Sequence, residues 1–371
     1  MKTDKELLYT IALGMVPSVG DISARKLVKH LGSASAVFRE PYHNLIRIPG
    51  IGKTIAAHLS SKEYIDKAAR ELEYTREHGI KIICHDDEAY PRRLRECPDS
   101  PIFLYYKGNA NLNEDRILSI VGTRNITRRG KDVCKGIIRD LAVEYPDLII
   151  ISGLAYGVDI TAHKAALREK LKTVAVMGHG FKTIYPSTHI NTARQILNHG
   201  ALITDFHSYE APERNNFLKR NRIIAGLSDA SLIIESGRKG GAMVTADIAI
   251  SYNRDIMAVP GSPGDTYSEG CNLLIKSNRA ALVESADDII YNLNWTKARL
   301  KNKQRTLFPE NLSPLEESIF KLFNENDELS SDYISNSLNK PLHQLSSALL
   351  KLEFSGYLTS IPGNIYRKKV L

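Results

Sequence analysis

The chain has 371 residues, 43% of them hydrophobic, which is ordinary for a soluble protein of two or three domains. Its formal net charge of +8 favours polyanionic partners without specifying nucleic acid. The four cysteines, Cys84, Cys97, Cys134 and Cys271, contain no C-x-x-C pair and argue against a disulfide framework or a zinc cluster, and no long apolar run follows Met1; the expectation is a cytoplasmic protein without signal peptide or membrane span.

Residues 1–79 read as an all-helical domain. Val16-Pro17-Ser18-Val19-Gly20 and Ile48-Pro49-Gly50-Ile51-Gly52 are each followed by a helix of small residues, which is the signature of tandem helix-hairpin-helix motifs. Glycine permits the tight turn, and the helix that follows offers free N–H groups to a phosphate. The first copy departs from the pattern, with Ser18 in place of the first glycine. Such repeats serve DNA contact, protein binding or plain packing, and these readings stand side by side. Gly50-Ile51-Gly52-Lys53-Thr54 mimics the tail of a P-loop, but Arg47 holds the position where that loop needs glycine, so no ATPase is expected.

Residues 80–294 alternate strands and helices. Apolar runs at Ile117–Val121, Leu148–Ile151, Thr173–Met177, Ser231–Ile234 and Ile256–Val259 each have glycine near their carboxyl ends. Near-continuous apolar strands are buried on both faces, hence a parallel sheet. The fold class is therefore α/β, a Rossmann-like doubly wound and mostly parallel sheet, whose ligands bind beyond the strand ends. Residues 295–312, with Lys297, Arg299, Lys301, Lys303 and Arg305, read as a basic linker. Residues 313–371 begin with a capping box at Ser313-Pro314-Leu315-Glu316 and continue with helices at Ser331–Leu338 and Leu342–Phe354. A hairpin over Gly356–Tyr366 completes a small winged helix.

Three strand-end loops carry the candidate chemistry. The first is Gly122-Thr123-Arg124, with Arg128 and Arg129 beyond it; those two fit a solvated helix face equally well. The second runs Ser152-Gly153-Leu154-Ala155-Tyr156-Gly157-Val158-Asp159, where Gly153, Ala155 and Gly157 keep the loop thin for a ligand. Asp159 and His163 are best read as a helix cap and its neighbour, because a metal needs a third ligand that the sequence does not supply. The third is Gly240-Gly241, which opens a helix and presents an anion-accepting end.

The segment Phe217-Leu218-Lys219-Arg220-Asn221-Arg222 reads as a helix start led by cations. Cations repel the positive end of a helix, so Lys219, Arg220 and Arg222 make sense if an anion sits among them, with Phe217 as a stacking face. Helical phasing also groups Arg220 with Ile223, Ile224 and Leu227, which makes it a candidate buried cation. Lys219 and Arg222 are then the better phosphate contacts. Gly122 does not start a G-x-G-x-x-G, and neither a Ser/His/Asp triad nor a paired carboxylate is present. No catalytic residue, cofactor or metal is expected.

These strings together resemble the DprA/Smf family of DNA-processing proteins of bacterial natural transformation. Tyr90-Pro91, Pro101, Leu104-Tyr105, Val121–Arg124, Ser152–Asp159 with Ala162-His163, Tyr185-Pro186, Arg220–Ser228, Gly240-Gly241 and Val259-Pro260-Gly261 follow the family's order over nearly the whole chain. The resemblance implies a dimeric single-stranded DNA-binding protein that hands strands to the recombinase RecA. It places the DNA pocket at Gly122, Thr123 and Arg124, the Phe217–Arg222 segment with Lys219, Arg220 and Asn221, and Gly240-Gly241; the thin loop adds Gly153 and Ala155 to the candidate DNA-binding residues. Leu218-Lys219 replaces the proline-containing spelling common in the family, and Arg238-Lys239 adds charge before the glycine pair. The family's dimer contact maps near Leu273, Leu274 and Leu282, residues that fit a core helix equally well. The competing reading is a nucleotide-processing enzyme of the lysine-decarboxylase-like phosphoribohydrolase type. It is weakened because Gly240-Gly241 lacks the glycine-threonine pair and glutamate of that group.

Overall fold

The computed structural model describes residues 3–295, 312–323, 328–355 and 357–368. The basic linker residues Lys297 to Arg305, and Gly356 of the hairpin, lie outside them. The chain forms two compact units, Met1–Ala298 and Arg299–Leu371.

The first unit opens with six helices: α1 (Asp4–Met15), α2 (Asp21–Leu31), α3 (Ala34–Arg39), α4 (Tyr42–Leu45), α5 (Lys53–Leu59) and α6 (Glu63–Glu77). The two hairpins repeat each other in detail. Ser18 and Gly50 both take left-handed backbone, at φ 64° and 90°. The Val19 and Ile51 amides close the turns onto the Val16 and Ile48 carbonyls at 3.1 and 3.0 Å. The left-handed cost that glycine escapes is borne in the first copy by Ser18.

The sheet follows as β1 (Lys81–Cys84), α7 (Arg92–Arg95), β2 (Phe103–Gly108), β3 (Ile117–Val121), α8 (Arg128–Glu144), β4 (Ile149–Ser152), α9 (Val158–Arg168), β5 (Lys172–Val176), α10 (Ile190–His199), β6 (Gly200–Thr204), α11 (Arg214–Leu227), β7 (Ala230–Ile233), α12 (Gly241–Ser251), β8 (Asp255–Ala258), α13 (Glu269–Lys276), β9 (Ala281–Leu282) and α14 (Ala286–Asn292). The strand order is β1-β2-β6-β5-β4-β3-β7-β8-β9. Pairing is parallel from β6 to β9, and β1 and β2 add an antiparallel margin. Successive residues of one strand serve opposite cores: Ile117 and Val121 pack under α11 and α12, while Leu118 and Ile120 pack against α8 and α9. Two covered faces are why these strands read as unbroken apolar runs.

The helical region is anchored to the sheet by buried polar contacts. Glu71, 3% exposed, accepts from the Ser208 amide and hydroxyl at 2.8 and 2.7 Å. Asp21 accepts from the Ile102 amide at 3.0 Å, and Arg25 donates to Ser100 at 2.8 Å. The expected boundary at residue 79 is therefore bridged by hydrogen bonds rather than by a free linker.

The second unit contains α15 (Pro314–Leu322), β10 (Glu328–Ser330), α16 (Ser331–Leu338), α17 (Leu342–Phe354), β11 (Leu358–Ile361) and β12 (Ile365–Lys368). Its sheet runs β10-β12-β11, all antiparallel. Ser313 and Glu316 form the capping box, with Pro314 at the start of the helix. Ile319, Phe323, Ile334, Leu345, Leu349 and Leu358 fill the core.

Candidate nucleic-acid interface

The chain builds β3 to β6 outwards on one side of β3, then returns through α11 to build β7 to β9 on the other. The order reverses between β3 and β7, where the loops diverge and leave a crevice. A cavity of about 530 Å³ lies there. Its walls are the loop after β3, Ala155 from the loop after β4, one stripe of α11 and the Gly240-Gly241 start of α12.

Helical spacing decides which α11 residues reach it. Arg214, Phe217, Leu218 and Asn221, at i, i+3, i+4 and i+7, share one face and line the cavity. Three helices, α9, α11 and α12, begin at this crevice, none with a side-chain cap. The positive ends of their dipoles add to the charge of the side chains, although the first amide of α9, that of Val158, is taken by the Thr123 carbonyl. Four cations, Arg124, Arg214, Arg220 and Lys239, line the cavity against one carboxylate, Asp159. Arg124 sits 5.4 Å from the Phe217 ring centroid, a cation–π geometry. Phe217 is backed by Tyr185, with ring centroids 5.5 Å apart.

The floor is built differently. Arg220 is 4% exposed and donates through Nη1 to the Gly153 carbonyl at 2.7 Å and to the Val176 carbonyl. It ties α11 to the ends of β4 and β5. Burial lowers its pKa to about 10, with Asp159 opposing the shift, so it stays charged. Asp159 Oδ2 accepts from the Gly153 and Ala155 amides at 3.2 and 3.3 Å. Burial raises the Asp159 pKa, against the pull of Arg220. His163 is wholly buried, bonds Thr173 Oγ1 at 2.7 Å, and is pushed down to about 3 by burial, so it is neutral. The fold already uses both members of the Asp159/His163 pair.

A second brace holds the loops in register. Glu235, 3% exposed, accepts the Thr127 amide at 2.8 Å on one oxygen and the Thr127 hydroxyl at 2.5 Å on the other. Its carbonyl accepts the Thr123 amide at 2.7 Å, and Thr123 O accepts the Val158 amide at 3.1 Å. Gly157 stands at φ 77°, where a Cβ would come within 2.1 Å of the Thr123 carbonyl oxygen. Only glycine lets the β3 and β4 loops lie this close.

Of the expected site residues, Gly122, Thr123, Arg124, Ala155, Phe217, Arg220, Asn221, Gly240 and Gly241 come together around the cavity. Gly153 lies beneath it with its carbonyl taken by Arg220. Four expectations change. The helix begins at Arg214, so the cations from Lys219 onward lie in its second and third turns rather than at its open end. Lys219 is exposed but falls off the cavity-facing stripe. Arg222 does not face the cavity either: its Nη2 donates to Asp21 at 2.8 Å and Asp205 at 2.6 Å, and its Nη1 to the Asp99 carbonyl. Burial works against its charge, but Asp205 and Asp21 hold its pKa above the ordinary value. Arg222 is thus a cross-link, and Arg220 is a clamp under the cavity rather than an accessible phosphate contact. The two cavity cations absent from the expected set, Arg214 and Lys239, were detectable only as charges flanking a helix start and a glycine pair. At the expected dimer contact, Leu273 and Leu282 are 41% and 45% exposed, but Leu274 is fully buried in the core of its own chain. Among the described residues, no helix is long and apolar enough to cross a membrane.

The family pattern described as DNA recombination-mediator protein A matches residues 81–294. Protein Smf of Escherichia coli is 33% identical over 293 residues, which cover 77% of this chain and 77% of Smf. The X-ray structure of DNA processing protein A (DprA) from Streptococcus pneumoniae is 29% identical with a TM-score of 0.66, covering 78% of this chain and 98% of its own. DNA processing protein A from Helicobacter pylori, described for its unique single-stranded DNA binding mode, is 27% identical with a TM-score of 0.52, covering 58% of this chain and 95% of its own.

Proposed function

This chain belongs to the DNA recombination-mediator protein A family, the DprA/Smf proteins, and from that premise we propose that it binds single-stranded DNA, protects incoming or exposed strands, and loads RecA onto them during natural transformation and recombination. The observation that carries the reading is the cavity at the β3/β7 switch point. Three exposed cations, Arg124, Arg214 and Lys239, three helix starts without side-chain caps and Phe217 converge there above the buried Arg220, and the one carboxylate among the lining residues, Asp159, is already held by loop amides. Such a site suits phosphates and a stacked base. It does not suit hydrolysis, since Asp159 is turned to the Gly153 and Ala155 amides and is not free to act as a base. The single-strand binding of the Helicobacter pylori relative points the same way.

Arg124, Arg214 and Lys239 act as the phosphate contacts and Phe217 as the stacking face. The protein works as a homodimer through the β9 end of the sheet, where Leu273 and Leu282 are exposed. Residues 1–79 and the winged helix of 313–371 serve as accessory modules. In the latter, Lys351 is paired with Glu316 at 3.3 Å, and α17 offers few cations to a duplex groove.

The test is a titration of single- and double-stranded oligonucleotides at two salt concentrations. The reading expects tight single-strand binding that weakens steeply with salt. Equal preference for duplex, or release of free base from nucleoside monophosphates, overturns it.

A further inference from the structure

A second cleft of about 540 Å³ shares Arg124 with the first cavity. It is lined by Arg124, Asn125, Ile126, Lys131, Tyr156, Gly157, Ile160 and Thr161. Its volume falls within the roughly 300–1,000 Å³ typical of ligand sites. Like the first it combines cations with an aromatic ring, here Arg124 and Lys131 with Tyr156, between apolar walls from Ile126 and Ile160, and unlike the first it has no carboxylate among its lining residues. Arg124 belongs to both cavities.

Tyr156 is built into this cleft rather than left loose on the surface. Its ring is 44% exposed and packs edge-on against His189, with centroids 5.0 Å apart. The Thr188 hydroxyl donates to its phenol oxygen at 3.4 Å. His189 is itself 6% exposed and bonded to the Leu154 carbonyl at 2.8 Å. A solvent-facing ring with a fixed edge loses little freedom when a flat partner stacks on it. Next to it, the contact of Gly157 with the Thr123 and Arg124 backbone fixes where Arg124 leaves the loop. Paired cations with an aromatic, and no acid, select an anion that carries a planar apolar group.

We propose that this cleft is a second nucleotide station on a single-stranded DNA track. One strand lies across both cavities, Arg124 meets the phosphate between them, Lys131 meets the next phosphate, and Tyr156 stacks a base as Phe217 does in the first cavity. The inference rests on the proposed single-strand binding and adds where the strand continues.

The experiment uses the full chain with oligothymidylates of increasing length, each series also carrying one 2-aminopurine at successive positions. Wild-type protein is expected to gain affinity as the strand grows from one cavity to two and to quench 2-aminopurine at two separate positions. Tyr156→Ala is expected to lose about tenfold in affinity for long strands, since stacking is worth roughly 1–3 kcal/mol per base and 1.4 kcal/mol is tenfold. It keeps wild-type affinity for the shortest strands and loses one quenching position. Tyr156→Phe restores both, and Lys131→Met lowers the salt slope for long strands only. If Tyr156→Ala binds long strands as wild type does, or keeps both quenching positions, the second station is overturned while single-strand binding stands. If wild-type protein binds no single strand at any length, the underlying reading fails together with it.

Discussion

The floor and the rim of the main cavity both carry charged side chains, an arginine among them in each, and use them in opposite ways. On the floor and its brace, Arg220, Asp159 and Glu235 are almost inaccessible, and each is held by backbone or side-chain partners from neighbouring strand ends. On the rim, Arg124, Arg214 and Lys239 are exposed and have no carboxylate partner among the described residues. A buried charge held by several hydrogen bonds fixes geometry, and its removal is costly because the partners stay behind. An exposed charge without a partner contributes little to the fold and is available to a ligand. For the arginines the difference is one of position: Arg214 and Arg220 stand on the same helix, one exposed and one buried.

The largest expected effect breaks the floor. Arg220→Met strands the Gly153 and Val176 carbonyls and leaves Asp159 without its nearby cation, so stability should fall by roughly 3–5 kcal/mol. A urea melt reads this, and a variant as stable as wild type would show that the floor is not structural. The rim comes next. Arg124→Ala should lower single-strand affinity by about 10- to 100-fold while leaving the melting temperature unchanged; unchanged affinity in a folded variant removes Arg124 from the interface.

Acid probes the floor again. His163 is neutral in the fold with its pKa depressed to about 3, so the unfolded chain binds the extra proton first as pH falls. Stability conferred by this residue is complete above about pH 6.5 and declines below it, by about 2 kcal/mol at pH 5. His163→Gln should flatten that limb of a stability–pH curve, and an unaltered slope refutes the assignment. The smallest effect is Lys239→Ala, which should cost under about 1 kcal/mol of binding and reduce the salt slope by about one. Binding measured across a salt series decides it.

The parallel strands from β3 onward were legible because burial on both faces leaves no polar alternation, as in Leu148-Ile149-Ile150-Ile151. The strand-end glycines marked the crevice for the same reason: close backbone approach excludes a side chain. The antiparallel margin was not legible. Phe103–Gly108 carries Tyr105 and Tyr106, which bury their rings into different cores, and no periodicity announces that. Nor could the role of Arg222 be read locally. One of its partners, Asp21, lies 201 residues away, and a cation two positions from a true clamp looks like another ligand contact until that carboxylate arrives beside it. Leu274 was ambiguous because a buried face and an interface share the same apolar signature.

One guanidinium, that of Arg222, is held at once by the first hairpin through Asp21, by the segment after β6 through Asp205, and by the Asp99 carbonyl. Hydrogen exchange should therefore treat α2 and α11 as one opening unit: the α11 amides are released only when the N-terminal hairpin lifts with them. Arg222→Ala should uncouple their protection, so that α2 exchanges fast while the sheet beneath stays closed.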